Sequence, residues 1–186
     1  MAIRIRGDRP LKTPTGLTTR PTPSKVRSAL FNIWQGAVAG STWLDICAGS
    51  GAMGAEALLL GASRVVGIEQ SPHACQVIRQ NWQKVARSNQ SWQVIRGDAV
   101  KVLPKLVGQV FQLVYFDPPY QSDLYEPVLQ RLPSLVDADS LIAVEHLSDR
   151  PLADQLGQLV KYDQRQYGQT MLSFYHLAPQ PLAEHI

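Results

Sequence analysis

The chain has 186 residues, 45% apolar and 18% charged, which suits one soluble globular domain with a real core. No apolar run approaches the ~20 residues that span a bilayer, and Met1-Ala2-Ile3-Arg4-Ile5-Arg6 lacks the apolar core of a signal peptide. Cys47 and Cys75 are too few for a disulfide framework and no Cys/His cluster has metal-ligand spacing, so a cytoplasmic protein without a metal is expected.

The net charge is only +3, but it is unevenly spread. Residues 1–27 hold Arg4, Arg6, Arg9, Lys12, Arg20, Lys25 and Arg27 against one acid, Asp8, while the rest is slightly acidic. A basic segment on such a body points to a polyanionic partner, with a solubilising tail as the alternative.

In chain order, residues 1–22 alternate short apolar and basic positions and carry Pro10, Pro14, Gly16 and Pro21. They predict a short hairpin or extended arm followed by a loop. Residues 23–186 are expected to form a single domain. Thr22 resembles an N-cap with Pro23 at the first helical position. Val26, Ala29, Leu30, Ile33 and Trp34 then recur at helical spacing, so 23–35 reads as an amphipathic helix, with Arg27 and Asn32 off its apolar stripe.

From Ser41 onward strand and helix patterns alternate. Strands are expected at 42–46, 64–69, 92–96, 110–116 and 141–145. Helices are expected at 52–60, from Ser71-Pro72 to about Val85, at 100–106 and at 124–132. This rhythm implies right-handed βαβ units and a parallel sheet. Leu159–Tyr162 and Met171–Tyr175 flank Gly168 and read as a terminal hairpin. The expected architecture is a seven-stranded α/β sheet, mostly parallel, ending in an antiparallel hairpin. Residues after Pro179 read as a loose end.

Gly49-Ser50-Gly51-Ala52-Met53-Gly54 fits G-x-G-x-x-G between a strand and a helix, and Glu69 follows Gly49 by 20 residues. Glycines let the backbone turn tightly and approach a ligand, and the acid can accept from two ribose hydroxyls. This pattern alone fits a dinucleotide or S-adenosylmethionine; without G-K-[ST] it is no P-loop. Asp45, just before the turn, suits a cationic amino group and would repel a pyrophosphate. It could instead only hold the turn's backbone. Asp98 can accept from an adenine amine, or cap the next helix.

Asp117-Pro118-Pro119-Tyr120 ends an apolar run at the sheet edge where α/β folds bind ligands. An exocyclic base amine is a poor nucleophile because its lone pair is delocalised. Accepting hydrogen bonds from both its N–H groups exposes that lone pair. Asp117 and the carbonyl of Pro118 or Pro119, held rigid by proline, are suited to this. Tyr120 can stack on the base, a contact worth ~1–3 kcal/mol.

Taken together these residues resemble the bacterial 16S ribosomal RNA guanine-N2 methyltransferases of the guanine-966 type. The similarity runs through Arg20-Pro21-Thr22, 26–33, Leu44-Asp45, 48–54, Glu56-Ala57, Gly61-Ala62, Glu69, Gly97-Asp98-Ala99, Asp117–Tyr120 and Tyr167-Gly168-Gln169-Thr170. The tetrapeptide alone is shared with DNA amino-methyltransferases; the block from Arg20 to Ile33 points to the ribosomal RNA group. The resemblance implies a Rossmann-like class I methyltransferase fold and S-adenosylmethionine as cofactor. The substrate it implies is the 16S rRNA of an assembled or assembling small subunit. It assigns Asp45, Ala48, Gly49, Gly51, Glu69 and Asp98 to the cofactor and Asp117, Pro118, Pro119 and Tyr120 to the target base. The basic residues of the arm and first helix would contact RNA. Cys47 stands where the family usually has phenylalanine, and the arm is less rich in glycine and lysine. A monomer is expected.

Three other readings stand beside it: a DNA adenine-N6 methyltransferase, an NAD-dependent oxidoreductase and a non-catalytic RNA-binding assembly factor. Both cysteines read as buried, and Cys47 has no base to make it a nucleophile. His146 reads as a surface histidine beside the pocket, with contact to the base as the alternative. Arg165 suits either a phosphate contact or a solvated surface.

Overall fold

The structure, a computed structural model, describes residues 3–14 and 24–179. Arg20, the proposed cap Thr22-Pro23 and the segment after Pro179 lie outside the described residues.

The chain opens with a two-stranded antiparallel hairpin, β1 (Ile3–Ile5) and β2 (Arg9–Leu11), joined by a 3-10 turn over Arg6–Asp8. Gly7 and Asp8 both take positive φ there, 73° and 57°. Ile5 and Leu11 are 4% and 2% exposed, so the arm is docked onto the domain by its apolar residues. Helix α1 (Ser24–Ile33) follows. Then come β3 (Thr42–Ile46), α2 (Ala52–Leu59), β4 (Arg64–Glu69), α3 (Pro72–Val85) and β5 (Ser91–Arg96). Helix α4 (Ala99–Val102) continues as a 3-10 turn over Leu103–Leu106 into β6 (Leu113–Phe116), α5 (Tyr125–Leu129) and β7 (Leu141–Leu147). The chain ends with β8 (Gln155–Leu156), β9 (Leu159–Tyr167) and β10 (Thr170–Leu177).

The main sheet has the order β5-β4-β3-β6-β7-β10-β9-β8. The first five are mutually parallel and the last three antiparallel. It has eight strands where seven were expected. The extra one, β8, is two residues long and turns back through Gly157 onto β9, too short to carry an alternating pattern. The apolar run from Val110 pairs only from Leu113, where it meets Trp43 and Leu141. Val110 is 51% exposed, and Phe111 bonds to Leu135 instead.

Side chains alternate between two cores. Trp43, Val65, Leu113, Tyr115 and Ala143 face α1, α2, α3 and the hairpin. Leu44, Ile46, Val66, Ile68, Val114, Phe116, Ile142 and Val144 face α4 and α5. Chain order reverses at β3: β4 and β5 lie to one side, β6 and β7 to the other. The crevice of such a sheet opens at the C-terminal ends of the two strands flanking the reversal, here β3 and β6.

The placement of Arg27 corrects the expectation that it contacts RNA. It is 4% exposed, and its Nε lies 2.6 Å from Oε2 of Glu56 on α2. Its Nη2 also donates to the carbonyl of Arg4 at 2.6 Å. The hairpin covers the side of α1 that periodicity alone leaves to solvent, so this cation is an internal brace.

Candidate active site

At the end of β3 the backbone takes positive φ at Cys47 (65°), Gly49 (56°) and Gly51 (72°) before entering α2. Left-handed conformations are costly for a residue with a side chain, so the turn needs its glycines, and Cys47 is a strained position among them. The third glycine has another cause. A Cβ on Gly54 would lie 2.3 Å from Cζ2 of Trp82, one on Gly51 2.8 Å from its Nε1, and one on Gly67 2.6 Å from its Cη2. Trp82 of α3 fills the space these three residues leave, and its indole N–H donates to the Gly51 carbonyl at 2.8 Å.

Asp45 is 1% exposed and accepts the Gly54 N–H at 3.0 Å. Burial is the main cause that raises its carboxyl from 3.8 to about 8; the Gly54 bond opposes this and Glu69 adds to it. It therefore holds the turn from within. Glu69 ends β4 and bridges two backbone amides, Gly49 N–H at 2.9 Å and Ser71 N–H at 2.8 Å. Asp98 accepts the Lys101 N–H at 3.2 Å, capping α4. Asp117 follows β6, and its N–H donates to Ile46 on β3 at 3.2 Å, seating the tetrapeptide at the reversal point. Ala48, in the same turn, is tied to β4 by its N–H to Ile68 at 3.0 Å.

These acids converge on Cys47. Burial is the first cause that pushes its thiol up, and the charges of Glu69, Asp117, Asp45 and Asp98 follow in that order. The thiol is therefore no nucleophile at neutral pH.

Beyond Asp117, Pro118 is buried, Pro119 exposed and Tyr120 half-buried. The Pro119 carbonyl accepts the Ser122 N–H at 2.8 Å. The Tyr120 hydroxyl donates to Oε1 of Glu145 at 2.9 Å and lies 3.3 Å from Oγ1 of Thr170. Burial is the largest cause raising its ionisation, so it stays a hydroxyl at physiological pH. Glu145, Thr170 and Arg150 surround this loop and were given no role from sequence. For Glu145 a signal existed: an acid inside the apolar run of β7.

The hairpin carries Arg4, Arg6 and Arg9 together, all exposed; Arg4 pairs with Asp8 at 2.6 Å. Lys12 is exposed with Nζ 2.8 Å from Oε1 of Gln80, and Lys25 is exposed on α1. His146 is corrected from surface to core. It is 1% exposed, with Nδ1 2.8 Å from the Leu147 carbonyl and Nε2 2.8 Å from Oγ of Ser173. Arg165 pairs with its neighbour Asp163 at 2.9 Å.

Comparison with known proteins places this arrangement. Residues 3–176 match the family model described as Conserved hypothetical protein 95. The candidate rRNA methyltransferase YlbH of Bacillus subtilis is 30% identical over 171 residues, 90% of this chain and 92% of YlbH. The ribosomal RNA small subunit methyltransferase D of Haemophilus influenzae is 32% identical over 136 residues, 72% of this chain and 70% of that protein. The solved structure of the candidate methyltransferase yhhF from Escherichia coli matches with TM-score 0.84 and 29% identity, over 97% of this chain and 100% of that one. The chain therefore belongs to the Conserved hypothetical protein 95 family, and its fold is that of a class I methyltransferase.

Proposed function

We propose that the chain methylates the exocyclic N2 amine of a guanine in the 16S rRNA of the small ribosomal subunit, the guanine-966 type of site. It is an S-adenosylmethionine-dependent methyltransferase of a family whose relatives include small-subunit rRNA methyltransferases. The observation that carries the reading is the convergence of Glu69, Asp98 and Asp117 at one sheet edge around the glycine turn, which the buried Asp45 holds from within. Such a field suits a ligand bearing a sulfonium and an ammonium, and it opposes a pyrophosphate. The oxidoreductase reading loses ground on the same observation.

Each residue then has a task. Gly49 and Gly51, with Ala48 between strand and turn, let the backbone approach the cofactor. Glu69, fixed by two amides, presents its carboxylate to the ribose hydroxyls. Asp98 accepts from the adenine amine. Asp45 keeps the turn in shape from below. S-adenosylmethionine supplies a methyl already activated on a positive sulfur, so the transfer is chiefly a matter of alignment. Asp117 and the carbonyl of Pro118 accept the two N–H groups of the guanine amine; the Pro119 carbonyl already accepts the Ser122 N–H, which leaves it one lone pair fewer for the base. Tyr120 provides the stacking face. The exposed arginines of the hairpin, with Lys12 and Lys25, contact phosphates, which position RNA without reading its sequence. The protein acts as a monomer in the cytoplasm on an assembled or assembling subunit.

Binding selectivity followed by mapping tests this. S-adenosylhomocysteine should bind and NAD should not. Digestion of 16S rRNA after reaction should then locate one new methylated guanine. NAD binding in preference, or methyl groups spread over many nucleotides, would overturn the reading.

A further inference from the structure

Glu145 is a carboxylate in an unusual place. It lies on β7 two residues beyond the Tyr115–Ala143 pairing, so its side chain shares a face with Tyr115. It is 1% exposed. Burying a carboxylate is costly unless its oxygens are hydrogen-bonded, and an apolar residue there would serve packing as well as Ala143 does. Both oxygens are engaged: Oε2 accepts the Tyr115 hydroxyl at 2.5 Å and Oε1 the Tyr120 hydroxyl at 2.9 Å. Thr170, 4% exposed on the neighbouring strand, places its hydroxyl 3.3 Å from the same Tyr120 oxygen. At the other end of that residue, Nη1 of Arg150 donates to the Tyr120 carbonyl at 2.9 Å and the Ser122 carbonyl at 3.0 Å.

Tyr120 is thus held at its main chain by Arg150 and at its phenol oxygen by Glu145 and Thr170. A ring anchored at both ends has a fixed axis, and because a phenolic O–H prefers to lie in the ring plane, its bond to Glu145 also restrains rotation about that axis. An aromatic residue that only stacked on a base would gain nothing from a hydroxyl tied to a buried acid. We infer that Glu145 is a positioning residue for methyl transfer, acting through the Tyr120 hydroxyl to set the plane on which the target base stacks. This rests on Asp117–Tyr120 being the base pocket. The consequence is specific: phenylalanine at 120 keeps the stacking face but loses its orientation, and small misplacements of a reacting group are expensive in rate.

The test is a double-mutant cycle on full-length protein, with Tyr120→Phe, Glu145→Gln and both together. The rate of methyl transfer to small subunits from cells lacking the gene is measured with subunits in excess. Affinity for S-adenosylhomocysteine and the thermal midpoint are read alongside. Each single change should lower the rate about 10- to 100-fold and leave S-adenosylhomocysteine affinity unchanged. The double variant should be no slower than the slower single, because both remove one linkage. If Glu145→Gln does not fold, Thr170→Val takes its place in the cycle, since both act on one hydroxyl. An undiminished rate in Tyr120→Phe, or losses that simply multiply, would overturn the inference while leaving the methyltransferase reading intact. A lowered thermal midpoint with an unchanged rate would assign Glu145 to stability alone and also overturn it. An unsubstituted protein that transfers no methyl would overturn the base-pocket reading first, and the inference with it.

Discussion

Asp45, inside β3, and Asp117, just after β6, stand on adjacent strands near the same sheet edge, yet they meet different environments. Asp45 is buried and bonded to Gly54, with its carboxyl raised to about 8. Its neutral form is therefore favoured in the folded state relative to the unfolded chain, whose carboxyl titrates near 3.8. Between about pH 4 and pH 8 the unfolded chain binds fewer protons than the native one, so stability falls as pH rises through that window. Asp45→Asn should flatten this decline, as urea midpoints across the window would reveal. Parallel pH profiles for both proteins would contradict the assignment. Asp117 is half-buried just after β6, and its proposed task is to accept a hydrogen bond from the target amine. Asp117→Ala should cut the methyl-transfer rate by about 10²- to 10³-fold, the scale of losing one preorganised hydrogen-bonding group. Isothermal titration should show S-adenosylhomocysteine binding as before.

Among the elements, α2, α3 and β4 interlock through one indole. Gly51, Gly54 and Gly67 all yield to Trp82. Gly54→Ala would put a methyl into the ring, and overpacking of this kind costs about 1–3 kcal/mol. The thermal midpoint should drop, and Trp82→Phe in the same chain should recover part of the loss by making room. A second brace joins the hairpin to the helices through Arg27 and Glu56. Arg27→Met leaves Glu56 buried without its cation and should destabilise the fold by about 3–5 kcal/mol, measurable by denaturant titration.

These elements show what a sequence can and cannot disclose. The five parallel strands, the glycine turn and the caps at Ser71 and Asp98 were legible because each is a local pattern: apolar period, turn residue or capping side chain. The partner of Gly54 was not legible, because Trp82 lies on another helix and nothing local marks the contact. Arg27 was misplaced for a related reason. Helical periodicity reveals the widest apolar stripe, but α1 is covered on a second side by a hairpin from a separate part of the chain. His146 follows the same logic, since β7 is buried on both faces and alternation gives no outward side. At the proposed site, the acids bonded to the turn and the tetrapeptide were nameable from sequence because each belongs to a short local motif. Glu145 stood out in sequence only as an acid in an apolar run; its link to the tetrapeptide, and those of Thr170 on β10 and of Arg150 in the loop after β7, emerge once β7 and β10 are paired beside β6.

For the whole molecule, the uneven charge of the sequence becomes a docked hairpin bearing Arg4, Arg6 and Arg9 on its surface. Because Ile5 and Leu11 anchor it, these cations are held in fixed positions on a body with acids gathered around the glycine turn. Replacing Arg4, Arg6 and Arg9 with Gln should weaken RNA binding and make its dependence on salt concentration shallower, since fewer counterions are displaced. Cofactor affinity should stay the same. An unaltered salt slope would remove the hairpin from the RNA contact.

The most direct measurement of the central claim is transfer of labelled methyl from S-adenosylmethionine to small subunits isolated from cells lacking the gene, followed by nucleoside analysis. Label is expected in N2-methylguanosine, with none on subunits from cells that retain the gene. Label in N6-methyladenosine would contradict the base assignment while keeping the chemistry. No label in any nucleoside, from protein that binds the cofactor, would contradict the claim that this site modifies ribosomal RNA.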